Sequence, residues 1–366
     1  MKKLSKALAL LLALIFILSL AACGGKTEST PAPTQGGGEK TPTPDKVYTF
    51  KIDYPNAETN PLYPVLVEWA RRIGEESNGR LDIQIYSNGA LGKLSDCVTN
   101  CISGLTDGFW SGVTIYPGVF SCTEVFGLPA LGAKNHMVVT AAMNAMLNET
   151  EYLKKEWEPL HVVALHSGTA SPILFAAGKD IQSAADMKGL DLRISNAYTT
   201  RWFELLGANG VTVGFNDGYE YIEKGIIDGG LFFYDQLETS ALYEIIDRLL
   251  ITDNSIYPLT MLCLNKDRYN ELPDDLKQII DNSREWFLDQ LPELYAAQVE
   301  RIHKKCDEYG VVYYRPSEAF DAEIVAAAKE SWDMWIDTMT KKGFDGQAIF
   351  DTARQYIEKY NAELAG

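Results

Sequence analysis

Positive charge is scarce in this chain: 33 Lys and Arg stand against 50 Asp and Glu, giving a formal net charge of −17 over 366 residues. No stretch gathers Lys and Arg into a stripe, and an acidic body repels phosphate backbones, so nucleic-acid binding is set aside. Histidine is rarer still. His136, His161, His166 and His303 stand at no ligand spacing from the cysteines, so neither a metal nor another cofactor is expected. Five cysteines lie beyond the leader, namely Cys97, Cys101, Cys122, Cys263 and Cys306, and an odd number cannot pair completely within one chain. Cys97 and Cys101 fall at i,i+4 on a helix face, but the five read best as small buried apolar side chains. Catalytic signatures are missing as well. There is no Gly-x-Ser-x-Gly elbow, phosphate loop or His-Glu-x-x-His, so the chain reads as a non-enzyme.

Long apolar runs are also few. The longest, residues 7–22, is short for a membrane span, which needs about 20 apolar residues. It follows Lys2, Lys3 and Lys6 and closes on Leu20-Ala21-Ala22-Cys23-Gly24. This order of basic, apolar and small residues reads as a secretory signal over 1–22, with Cys23 as the lipid attachment point. Residues 23–46 then carry the lipidated cysteine and a flexible tether rich in Pro, Gly, Ser and Thr, with no residues to join a core. The expected location is extracytoplasmic, held at the cell membrane by the lipid.

The body from Val47 onward holds about 320 residues, too many for one ordinary core, so two lobes are expected. It alternates strands and helices, and no tandem repeat appears. Val65, Leu66, Trp69 and Ile73 share one helical face, and Asn78-Gly79 stops that helix. Leu81, Ile83 and Ile85 alternate as in a half-buried strand, and so do Leu190, Leu192 and Ile194. Short strands are also expected at 161–165, 211–213 and 226–234, with a helix over 198–206. This alternation implies α/β architecture with mostly parallel sheets. A helical run from Leu272 to about Tyr309 is long enough to bridge both lobes. Two further helices, near 317–341 and 346–363, close the chain.

Several stretches then line up in order. Gly79-Arg80-Leu81-Asp82-Ile83 precedes Gly89-Ala90-Leu91-Gly92, and Leu128-Pro129 follows. Next comes the run from Asp186-Met187-Lys188-Gly189 through Arg193-Ile194-Ser195-Asn196, then Lys224-Gly225-Ile226-Ile227-Asp228-Gly229, and finally Tyr269-Asn270-Glu271-Leu272-Pro273. Together these resemble the solute-binding proteins of TRAP (tripartite ATP-independent periplasmic) transporters, of the dicarboxylate-binding type. The resemblance implies a two-lobed, type II periplasmic-binding-protein-like fold with a cleft between the lobes and a long lobe-spanning helix. Its expected division is 47–169 plus 258–300 for the first lobe and 170–257 plus 301–366 for the second. It also implies a small organic acid as ligand, TRAP permease subunits as partners, and a monomer.

In that family the arginine of the Lys-Gly-x-x-x-Arg segment grips the ligand carboxylate, and here the position is Arg193. A guanidinium offers two parallel N–H donors that match a carboxylate and stays charged at any relevant pH. Asn196 matches a neighbouring polar position and is a candidate for the second ligand oxygen. The chain also departs from the family. Residues 169–181 offer only Lys179 where many members carry a second arginine. Gly230-Leu231-Phe232-Phe233-Tyr234 replaces a Gln-Glu-Asn-Pro run, and Trp110-Ser111-Gly112 stands where an acid is often found. Polar walls exchanged for aromatic ones point to a monocarboxylate with an apolar or aromatic body, enclosed by Trp110, Ser111, Phe232, Tyr234 and Tyr54. A sensory protein that presents ligand to a receptor is the alternative, and a secreted enzyme the more distant one.

Overall fold

Apolar residues spaced by two or by three to four leave little doubt where the elements lie, and the computed structural model shows how they assemble. It describes residues 46–194, 196–214 and 217–364. The signal, Cys23, the tether and Ser195 lie outside the described residues. The first part of the body supplies β1 (Tyr48–Asp53), β2 (Leu81–Tyr86), β3 (Gly108–Gly112) and β4 (Leu160–Ser167). The second supplies β5 (Ile173–Phe175), β6 (Asp191–Ile194), β7 (Asn209–Thr212), β8 (Gly229–Leu231) and β9 (Arg248–Leu250). The chain then returns as β10 (Leu259–Asn265), and β11 (Val312–Tyr314) lies between late helices. Helices of eight or more residues are α1 (Tyr63–Glu76), α2 (His136–Glu149), α3 (Ala197–Leu205) and α4 (Asp274–Asp289), then α5 (Leu291–Tyr309), α6 (Glu318–Lys341) and α7 (Gly346–Leu364).

Two sheets form, ordered β2-β1-β3-β10-β4 and β11-β9-β5-β8-β6-β7. Each is covered on both faces by an apolar cluster, which makes two lobes. The sheets are mixed, not mostly parallel. β10 runs antiparallel to β3 and β4, and β5 runs antiparallel to β8 and β9. These two strands follow the passages of the chain from one lobe to the other. A strand arriving from the opposite lobe enters its sheet from the cleft side, against the direction set by strand–helix–strand units.

Several elements differ from the sequence reading. The strand expected over 226–234 is confined to β8, and a short helix begins at Tyr234. The helical run expected over 272–309 is broken at Gln290 into α4 and α5. Pro292 stands in the first turn of α5, where it cannot donate to the preceding turn. α4 packs Leu276, Ile280 and Phe287 into the first lobe, and α5 carries Leu291 there and Ile302 and Cys306 into the second. So α5 is the lobe-spanning helix. The C-terminal helices also divide differently from the 301–366 allotment. α6 buries Phe320, Ile324 and Ala328 in the second lobe but Trp335 and Met339 in the first, making it a second bridge. α7 packs Ile349, Ala353 and Ile357 into the first lobe's core beside α2. All five body cysteines are buried and unpaired.

Candidate functional site

Strand orders 2-1-3 and 7-6-8 mean that chain connections leave in opposite directions on either side of β1 and of β6. Open α/β sheets bind ligands outside the carboxyl ends of strands at such switch points. Tyr54 directly follows β1, Trp110 lies on β3, and Arg193 is the penultimate residue of β6.

A cavity of about 440 Å³ opens between the lobes. Trp110 and Thr260 line it from the first lobe, Tyr234 and Asp235 from the second, and Tyr295 and Gln298 from α5. The Trp110 Nε1 donates to His166 Nε2 at 3.2 Å. Burial pushes the His166 imidazole down to about 3, so the ring is neutral and can accept that bond. Its Nδ1 faces the Thr260 and Tyr295 hydroxyls at 2.9 and 3.1 Å. A buried, fully engaged histidine therefore fixes the Trp110 ring against the cavity. Tyr54 packs behind that ring, with centroids 5.4 Å apart and planes tilted by 55°. It is buried, and its hydroxyl makes no well-formed hydrogen bond, although the Asn56 side chain comes near.

Arg193 is buried. Its Nη1 donates to the Leu231 carbonyl at 2.5 Å, and its guanidinium lies 4.8 Å from the centroid of the Phe232 ring. No described acid pairs with it, and its Nε has no partner. Burial alone pushes it down to about 10, still charged near neutral pH. A buried, uncompensated cation is costly unless an anion arrives to pair with it. Arg193 does not line the cavity. It grips the backbone just ahead of Phe233, Tyr234 and Asp235, which do.

The remaining sequence candidates take other places. The Ser111 hydroxyl is fully buried and lies 2.9 Å from the Tyr116 hydroxyl, which itself donates to the Leu94 carbonyl. Ser111 thus serves the core. Phe232 is also buried, against Gly218, where a Cβ would come within 2.4 Å of its ring. It supports Arg193 from below. Asn196 caps α3, its Oδ1 accepting from the Tyr198 and Thr199 amides at 3.0 Å each. Its oxygen is therefore committed to the helix. Asn196→Ala should cost about 1 kcal/mol of stability, the usual value of a cap. The same variant should leave ligand affinity within about twofold, measurable by chemical denaturation and calorimetry on one preparation. An affinity loss above tenfold would restore Asn196 as a ligand contact.

The sequence reading missed Asp235, Tyr295, Thr260 and Gln298. Asp235 directly follows Tyr234, but nothing local sets it apart from the chain's other acids. Burial pushes its carboxyl up to about 6.

Comparison with known proteins fits this geometry. Residues 53–338 match the family model described as bacterial extracellular solute-binding protein, family 7. A marine metagenome TRAP solute-binding protein specific for aromatic acid ligands, solved with 3-hydroxybenzoate, superposes with a TM-score of 0.78 at 23% identity, over 87% of this chain and 100% of that one. The TRAP solute-binding protein of Rhodoferax ferrireducens, solved with copurified benzoate, gives 0.77 at 23% identity, again over 87% and 100%. The C4-dicarboxylate-binding protein DctB of Bacillus subtilis is 23% identical over 263 residues, 70% of this chain and 73% of that protein.

Proposed function

Because this chain belongs to family 7 of the bacterial extracellular solute-binding proteins, the binding proteins of TRAP transporters, we propose that it captures a monocarboxylate with an apolar or aromatic body and delivers it to a TRAP permease. One observation carries the reading: a buried arginine with no counter-ion among the described residues stands at the carboxyl end of β6, bonded to the backbone just ahead of three residues that line an aromatic-walled cavity between lobes. In the open state the solute enters between the lobes, and Arg193 takes its carboxylate. Trp110 and Tyr234 then enclose its body from opposite lobes, and bending at the crossing strands closes the cleft. Ligand can drive closure only by the difference in its affinity for the two states. Contacts shared between lobes, such as these two rings, supply that difference. The relatives solved with 3-hydroxybenzoate and benzoate support an aromatic acid. The Leu20-Ala21-Ala22-Cys23-Gly24 run supports a lipid anchor on Cys23 that keeps the protein beside its permease.

A thermal-shift screen of residues 46–366 against mono-, di- and aromatic carboxylates tests this reading. A ligand at about 100 times its Kd adds about 2.7 kcal/mol, enough to raise the midpoint by several degrees. Aromatic or apolar monocarboxylates should give the largest shifts. A larger shift with a simple dicarboxylate such as succinate would overturn the specificity.

A further inference from the structure

We infer that Asp235 makes the cleft select zwitterions, solutes that carry a cationic nitrogen as well as a carboxylate on an apolar or aromatic body. This rests on the carboxylate-capture reading and narrows it.

Asp235 sits on the first turn of the short helix Tyr234–Thr239 and lines the cavity. Its Oδ1 accepts from the Gln236 amide at 3.0 Å, but no described Lys, Arg or His pairs with it. The phenols of Tyr54 and Tyr295 lie within electrostatic reach of it. Burial first, and with it the charge of Asp235, pushes both hydroxyls above their ordinary range. They stay neutral and leave the carboxylate uncompensated. The second lobe thus holds two charges of opposite sign, Asp235 in the cavity wall and Arg193 behind it against the Leu231 carbonyl, and neither pairs with the other.

A simple carboxylate satisfies the arginine but brings its own negative charge near the half-buried Asp235 carboxylate, which acts against binding. A second carboxylate on the ligand would be worse. An ammonium group reverses the sign of that contact. The rings of Trp110, Tyr234 and Tyr295 around the same cavity add favourable cation–π faces. The aromatic body and the cation are therefore served by one set of walls.

Calorimetry with L-phenylalanine, 3-phenylpropionate and 3-(3-hydroxyphenyl)propionate at pH 8 tests the inference on the wild-type protein and on Asp235→Asn. That variant keeps an oxygen to accept from Gln236, and a matching melting temperature confirms its fold. The amino acid should bind wild type at least tenfold tighter than 3-phenylpropionate. Asp235→Asn should erase that ratio while keeping or improving 3-phenylpropionate binding. Equal or tighter binding of 3-phenylpropionate by wild type overturns the inference alone, as does an unchanged ratio in the variant. Tightening by the phenolic hydroxyl alone would make Asp235 an acceptor for a neutral donor, and the cationic claim would fall. Loss of binding by all three acids would overturn the carboxylate-capture reading with it.

Discussion

Replacing Arg193 with methionine should remove carboxylate binding and ligand-driven closure, yet leave the empty protein as stable as wild type or more so. The two effects have opposite signs because the arginine is buried with no acid beside it among the described residues. Among the described residues its Nη1 donates to the Leu231 carbonyl, and its Nε has no hydrogen-bond partner. In the empty state the side chain is a desolvated cation, and exchanging buried charge for an apolar side chain of similar volume is often neutral or stabilising. In the bound state it is one half of a charge-assisted pair. Removing half of such a pair costs about 2–5 kcal/mol, or about 30-fold to several thousand-fold in Kd. Arg193→Lys should not rescue binding, because an ammonium cannot present two parallel donors. Calorimetry reads the affinity, thermal denaturation the stability, and small-angle scattering the compaction on ligand addition. Compaction retained in Arg193→Met would refute the role assigned to this residue.

Gly229→Ala should be the most destabilising single substitution at the site, at more than about 4 kcal/mol. Gly229 has φ +141°, a conformation that L side chains rarely adopt, and a Cβ there would lie 1.9 Å from the Leu174 carbonyl oxygen. That oxygen belongs to β5, the crossing strand beside β8, so the clash falls in the middle of the second sheet. Gly230→Ala follows the same logic from the other side. At φ +138° its Cβ would meet the Arg193 backbone nitrogen at 2.4 Å, shifting the strand that carries the arginine. Gly225→Ala is the control. It has φ +65° with nothing within 4 Å, so only the backbone penalty of about 1 kcal/mol should appear. Urea denaturation of the three variants orders them. A Gly229→Ala protein within 1 kcal/mol of wild type would show that β5 and β8 are not held at this separation.

Much of this fold is written locally. The face formed by Leu66, Trp69 and Ile73 and the stop at Asn78-Gly79 define α1 before any tertiary contact, and those two residues do take φ 53° and 77°. Leu192 and Ile194 likewise mark β6. What the local pattern lacks is direction and partner. The residues of β10 read as a strand in either sense, and only the return from the second lobe makes it antiparallel. α6 carries apolar residues along its whole length, and nothing in their spacing says that Phe320 and Trp335 belong to different lobes. Pro292, by contrast, is a local signal for a break within that helical run.

The site divides in the same way. Arg193 stands out only through the order of family motifs, since an isolated arginine in an acidic chain reads as an ordinary ion pair. Trp110 and Tyr234 were found as aromatic residues where the family has polar ones, and both line the cavity. Ser111 and Phe232 lie in the same runs but do not line the cavity: strand alternation turns Ser111 away from Trp110, and Phe232 packs under Arg193 and against Gly218. Asn196 caps α3 with the oxygen that a ligand contact would need, a role its neighbours in sequence do not announce. Asp235 was invisible because its meaning comes from the cavity around it.

The most direct test of carboxylate capture is calorimetry with the tightest-binding acid from the thermal-shift screen and its matched primary amide. The two differ only in the charge that Arg193 is assigned to read. The acid should bind at least a hundredfold tighter than the amide in wild-type protein, and the two should converge in Arg193→Met. An amide that binds as tightly as its acid would contradict the account, because the cleft would then recognise the body of the solute and not its carboxylate.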